Sequence, residues 1–169
     1  MKTKDIAQGG LLIGVALVLS LLERLFPLQA VVPIPGIKLG LANIVTLFAL
    51  TRLDCRRAVW LVLCRVTLAS VFGGTVTGFA FSLTGGLLAL FGMALLLPRC
   101  GRSLSLLGVS VAGAALHNCG QICAAMAVLG TVDVLGYLPL LLVSAVPMGL
   151  VTGLTAREIL GHLHQISKN

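Results

Sequence analysis

The sequence is poor in charge, and poorest in acidic residues. Only 10% of its 169 residues are charged, and Asp and Glu together number five. These five are scattered between Asp5 and Glu158, with no two close together. Magnesium sites that hold a diphosphate rely on carboxylates brought to the metal. We therefore expect no magnesium-dependent diphosphate chemistry from this chain.

Other sequence signals of catalysis are missing as well. No G-x-x-x-x-G-K-[ST] loop is present, so the chain alone is not expected to hydrolyse ATP. No G-x-S-x-G elbow occurs. The five cysteines show no C-x-x-C spacing that would indicate a zinc or disulfide framework. We predict that the protein is not an enzyme and uses no metal or cofactor.

Apolar residues are what the sequence has in abundance, at 58% of the chain. Six apolar segments can be drawn, at about residues 6–26, 39–53, 57–72, 79–97, 104–129 and 135–160. Because a membrane span takes about 20 such residues, we predict an all-α, polytopic integral membrane protein. Its six transmembrane helices would form a single domain over residues 1–169. The second and third segments are short, which indicates either a nearby binding site, as in transporters, or tilted helices in a thinned bilayer.

The basic residues predict the orientation of these helices. A net charge of +7 suggests nucleic acid as a partner for a soluble chain, but here the charges lie between apolar runs, so no nucleic acid partner is expected. Nine of the twelve basic residues fall at the N-terminus, the second and fourth connections and the C-terminus: Lys2, Lys4, Arg52, Arg56, Arg57, Arg99, Arg102, Arg157 and Lys168. The opposite side has Arg24 and Lys38. The positive-inside rule then predicts a multi-pass protein of the cell (inner or plasma) membrane with both termini cytoplasmic.

One stretch, residues 31–43, interrupts the apolar pattern. It reads V-V-P-I-P-G-I-K-L-G-L-A-N, with two prolines that cannot donate to a helix and two glycines that allow unusual backbone shapes. Non-helical backbone at membrane depth persists where protein buries it or where it lines a cavity. We predict a long first external loop that caps a cavity, with Lys38 near the ligand and Asn43 beginning the helix beneath.

Arg65 lies inside the third segment. A charge at the bilayer centre costs about 2.5 to 3.5 kcal/mol, so its guanidinium needs a partner. Two interpretations remain open and are compatible: a structural pair with Glu23, or a role facing the ligand. Lys38 and Arg65 together outweigh Glu23, which indicates an anionic or phosphate-bearing solute.

Polar and small residues in the fifth segment form one stripe. They recur at i, i+4, i+7, i+8 and i+11 and so share a helix face that must point inward: Ser110, Ala114, His117, Asn118 and Gln121. In the fourth segment, S-L-T-G-G over residues 82–86 either gives a ligand close access to backbone or serves ordinary helix packing. The predicted solute-binding set is Lys38, Asn43, Arg65, His117, Asn118 and Gln121.

Glycines four residues apart occur in the first and last segments. Gly10 and Gly14 have this spacing, and so do Gly149 and Gly153. Small residues four apart let another helix approach closely. The pattern indicates either internal packing or, for the first segment, a docking face for a partner protein.

Four of these stretches together, P-G-I-K-L-G-L-A-N, the R-V-T-L run around Arg65, S-L-T-G-G and A-L-H-N-C-G-Q, resemble the Gx transporter family over nearly the whole chain. That family, also known as heptaprenyl diphosphate synthase component I, is similar to the S components of energy-coupling factor transporters. The resemblance implies six helices, a cap over residues 31–38 and uptake of a small vitamin-like, anionic or isoprenoid-related solute.

The resemblance also implies partners. These are a transmembrane T component docked on a face that includes Gly10 and Gly14, separate ATPase subunits and the lipid bilayer. The usual docking motif has alanines where this chain has glycines. The older family name implies an alternative function, that of a noncatalytic membrane subunit associated with heptaprenyl diphosphate synthase in menaquinone side-chain synthesis.

Overall fold

The computed structural model of the chain describes residues 3–25 and 38–166. These residues contain no β-strand and form six α-helices: α1 Thr3–Leu22, α2 Asn43–Arg52, α3 Cys55–Val71, α4 Val76–Leu96, α5 Leu106–Leu129 and α6 Leu138–Ile166. The predicted all-α class and six helices are thus confirmed for this part of the chain. Most of the predicted cap, residues 31–37, lies outside the described residues, so the cap stays a prediction.

Three of the helices begin at side-chain caps. Asp54, Thr75 and Ser105 precede α3, α4 and α5, and each side chain accepts a hydrogen bond from the backbone N–H three residues later. Such a cap satisfies a donor that the first helical turn leaves unpaired. Gly130, with φ at +67°, caps the end of α5. The caps set where α3, α4 and α5 begin and where α5 ends, and so they set the position of each polar residue along its helix.

The shortest helix, α2, lies at the centre of the bundle. It contacts all five other helices, and every residue from Asn43 to Leu50 is buried. Its 10 residues span about 15 Å at 1.5 Å per residue, which is half of a typical hydrocarbon core. The helix begins at Asn43 as predicted, later than the start of the apolar segment, because Gly40 adopts φ +86° and turns the chain.

Within the described residues, three helical stretches are long and apolar enough to cross a membrane. They are Val76–Arg99, Leu106–Leu129 and Asp133–His162, and Ile6–Leu22 is a shorter apolar helix. These stretches identify a membrane protein. The six spans and their orientation stay predictions.

The two glycine pairs have different surroundings. A Cβ at Gly149 would lie 2.4 Å from the Cα of Val111, and one at Gly153 would lie 2.9 Å from the Cβ of Ser110, both on α5. That pair therefore serves close packing of α6 on α5. Gly10 and Gly14 are exposed, and no atom of the described part of the chain would come within 4 Å of a Cβ at either position.

Three of the basic regions lie near one another at one end of the bundle. Arg52 Nη2, at the end of α2, donates to the carbonyl oxygen of Leu160 near the end of α6, at 3.3 Å. A cleft of about 700 Å³ between the start of α1 and the start of α3 is lined by Ile6, Gly10 and Trp60, among others. The beginning of α1, the α2–α3 connection and the end of α6 therefore lie together.

Candidate functional site

Polar side chains predicted to bind solute converge inside the bundle. Five of the six are buried, each at most 4% exposed: Asn43, Arg65, His117, Asn118 and Gln121. The sixth, Lys38, is half-buried and lies just before α2. The five come from two consecutive helices, α2 and α3, and from α5, which lies much later in the sequence. Burying such groups is costly unless each finds a hydrogen-bond partner, so their partners define what the site can do.

Gln121 and Asn118 are bonded within the protein. The Lys38 backbone N–H donates to Gln121 Oε1 at 2.7 Å, and Gln121 Nε2 donates back to the Lys38 carbonyl oxygen at 2.8 Å. Gln121 Nε2 also donates to Asn118 Oδ1 at 3.3 Å, and Asn118 Nδ2 donates to the Leu141 carbonyl oxygen of α6 at 2.6 Å. The two amides therefore hold the chain at Lys38 and join α5 to α6.

Two further side chains hold the non-helical segment 38–41. Lys38 Nζ donates to Ser82 Oγ of α4 at 2.8 Å. The Leu41 backbone N–H donates to Glu23 Oε1, in the 3₁₀ turn Glu23–Leu25 that follows α1. Buried backbone donors outside a helix need such partners. Hydrogen bonds therefore join segment 38–41 to α4, to α5 and to the 3₁₀ turn that follows α1.

Polar atoms without a hydrogen-bond partner occur on the other three buried residues of the predicted set, Asn43, Arg65 and His117. Both amide atoms of Asn43, Nε and Nη2 of Arg65 and both ring nitrogens of His117 are buried and make no hydrogen bond to the described residues. Oγ1 of Thr46 is in the same condition. Buried polar atoms are nearly always paired, so these atoms call for partners that the described chain does not supply.

Thr46 is a site residue that the sequence analysis missed. It is fully buried and lies one turn after Asn43 on α2. Residues three apart on a helix share a face, so the spacing from Asn43 was the signal that identifies it. Its hydroxyl adds a group that both donates and accepts.

The surroundings of Arg65 bear on both interpretations left open by the sequence. It and Glu23 attract each other electrostatically, and Glu23 also attracts Lys38. The hydrogen bond of the guanidinium, however, runs from Nη1 to Ser20 Oγ of α1, at 3.3 Å. Arg65 therefore has a nearby carboxylate and an unpaired donor edge at once.

Three glycines make room for the unpaired side chains. A Cβ at Gly85 would lie 2.8 Å from the carbonyl oxygen of His117 and 3.1 Å from its Cε1, and one at Gly86 would lie 3.1 Å from Arg65 Nη2. At Gly40, a Cβ would lie 3.2 Å from His117 Cδ2. The glycines of S-L-T-G-G and the turn at Gly40 thus let the imidazole and guanidinium pack directly against backbone.

The fold and the site define a class: an all-helical membrane protein that encloses a polar site around its central short helix. Residues 12–159 match the family described as heptaprenyl diphosphate synthase component I, and the chain belongs to that family. The match confirms the family resemblance seen in the sequence motifs. Searches of curated proteins and of solved structures gave no match.

Proposed function

We propose that the chain is the solute-binding subunit, similar to an S component, of an energy-coupling factor type transporter. The observation that carries this proposal is the set of unpaired buried atoms on Asn43, Thr46, Arg65 and His117. Ionisable residues inside membrane helices are costly to bury and mark the pathways of substrates and ions. A small polar solute between these side chains would supply the missing partners.

The segment 38–41 is proposed as the inner end of the cap. Hydrogen bonds that Lys38 and Leu41 donate to Gln121, Ser82 and Glu23 would hold it over the site. Each such bond contributes about 1 kcal/mol net, so the segment is closed firmly but reversibly. The basic connections lie at the other end of the bundle, which is the cytoplasmic end under the positive-inside rule. The solute would therefore enter from outside, and separate ATPase subunits would drive its release inward.

Retention of a solute by the purified protein tests the binding role. Wild-type protein and two variants would be purified in detergent, and their extracts analysed by mass spectrometry. His117→Ala removes an unpaired buried ring, whereas His162→Ala changes an exposed histidine on α6 and is the matched control. We expect a solute with wild type and His162→Ala that is lost with His117→Ala. Equal retention by a folded His117→Ala protein, or no solute in any sample, would refute the binding role.

The exposed face of α1 is proposed to bind the transmembrane T component. Gly10 and Gly14 leave the helix backbone open there, and small residues allow a second helix to approach closely. Leucine at both positions should abolish co-purification with a T component. Gly161→Leu is the matched control, because Gly161 is also exposed on a helix, with no described atom within 4 Å. Unchanged co-purification of the double variant would place the docking face elsewhere.

Family membership itself favours a second candidate function. The family description names a component of heptaprenyl diphosphate synthase, so the chain would be a noncatalytic membrane subunit of that synthase. Stable association with a soluble prenyl synthase, together with a rise in its activity, would establish this function instead.

A further inference from the structure

We infer that the buried site binds a singly charged oxyanion, such as a carboxylate, through the side edge of Arg65. This inference rests on the proposed solute-binding function and specifies the chemistry of the solute. It depends on which guanidinium atoms are unpaired and on the balance of charge around them.

The unpaired atoms of Arg65 form one edge of the guanidinium. Nη1 donates to Ser20 Oγ, while Nε and Nη2 have no partner among the described residues. The N–H groups of Nε and Nη2 point in nearly the same direction, which is the arrangement that binds both oxygens of a carboxylate or two oxygens of a phosphate. The Ser20 bond fixes the rest of the group, so this edge is oriented before a ligand arrives.

Among the described groups that interact around Arg65, one acidic and two basic side chains give a formal charge of +1. They are Glu23, Lys38 and Arg65. Asp54, Asp133 and Glu158 are exposed, and residues 26–37 contain no charged side chain. An uncompensated buried charge is strongly unfavourable, because burial removes the water that would stabilise it. A ligand with one negative charge would restore the balance.

The same balance distinguishes among possible occupants. Water molecules can satisfy buried donors, but they carry no charge to offset Arg65. A diphosphate carries more than one negative charge and would leave the surplus unpaired. A neutral amide of the same shape as a carboxylate has one acceptor oxygen, so it could accept a hydrogen bond from only one of the two N–H groups on this edge. Asn43, Thr46 and His117 then offer further hydrogen bonds beside the anion.

Thermal unfolding in detergent, with small probes at constant ionic strength, tests this inference. Acetate, acetamide and pyrophosphate would be added to protein dialysed free of small solutes, with sodium chloride as the reference. Because a ligand that binds the folded state raises Tm with its concentration, acetate should raise Tm. Acetamide and pyrophosphate should have no effect beyond the chloride reference. This comparison uses wild-type protein and needs no variant to fold.

Arg65→Lys supplies the second arm. It keeps the charge but loses the paired donors, so acetate should bind about tenfold more weakly, which corresponds to about 1.4 kcal/mol. Arg56→Lys, on the exposed start of the same helix, should leave the acetate response unchanged. Four results would each overturn the inference. With wild-type protein, these are no response to acetate, stabilisation by acetamide equal to that by acetate, or a larger effect of pyrophosphate. The fourth is an acetate response that is unchanged in Arg65→Lys.

The solute-retention assay separates this failure from failure of the proposed function. A neutral or cationic solute that depends on His117 would uphold solute binding and refute the anion. An absence of any retained solute, together with no acetate response, would refute both.

Discussion

Gly120 of α5 lies directly against the backbone of α4, and Gly120→Ala should force those helices apart. A Cβ at Gly120 would lie 2.7 Å from Gly85 Cα, 2.8 Å from the Thr84 carbonyl oxygen and 2.9 Å from Gly85 N. All three are backbone atoms, so no side-chain rotation relieves the clash. Ordinary van der Waals contact begins at 3.4 Å, so the helices must separate by about 0.7 Å, the difference from 2.7 Å.

The magnitude follows from two opposing terms. Overpacking of a well-packed core costs about 1 to 3 kcal/mol, and replacing glycine by alanine inside a helix returns about 0.5 to 1 kcal/mol. Because the clash is with backbone, the upper part of the overpacking range applies, about 2 to 3 kcal/mol, and the net loss for Gly120→Ala is about 1 to 2.5 kcal/mol. For a domain of this size, that loss lowers Tm by about 2 to 10 °C. Because Gly85 also contacts His117, solute retention should fall as well.

Circular dichroism at rising temperature in detergent measures this effect. Gly14→Ala is the matched control, since a Cβ there meets no described atom within 4 Å and only the helix-propensity gain remains. We expect Tm of Gly14→Ala to equal or exceed that of wild type. If Gly120→Ala were as stable as Gly14→Ala, close contact of α4 with α5 would not be what this glycine provides.

Three further predictions concern the cap and the orientation. Gln121→Glu replaces the donor to the Lys38 carbonyl oxygen by an acceptor. Trypsin should therefore cleave after Lys38 several-fold faster than in wild type. An unchanged rate would show that the hydrogen bonds between Gln121 and Lys38 do not hold the segment. Gly40→Ala should lose about 1 to 3 kcal/mol more stability than Gly101→Ala, because both have φ near +85° but only Gly40 has crowded surroundings; equal losses in thermal unfolding would attribute the effect to backbone strain alone. In a variant whose only cysteine is the exposed Cys55, a membrane-impermeant maleimide should label inverted vesicles and not intact cells, and the opposite pattern would reverse the topology.

The sequence by itself determined the class of the protein and much of its local structure. Apolar length set six helices, and 3.6-residue periodicity placed one face of α5 inward, with His117 and Gln121 both buried. These properties depend on residues within about a turn or two of one another, so they can be worked out from spacing. The start of α2 at Asn43 followed in the same way, from the glycine turn just before it.

Only the tertiary structure decided which of these residues stay available to a ligand. The sequence grouped Gln121 with His117, yet packing uses Gln121 to clamp Lys38, 83 positions away, and leaves His117 unpaired. Likewise the spacing of Gly10 and Gly14 equals that of the last-helix pair, although one pair is open and the other is packed. Spacing fixes the face of a single helix, whereas the partner of that face depends on how all six helices pack together.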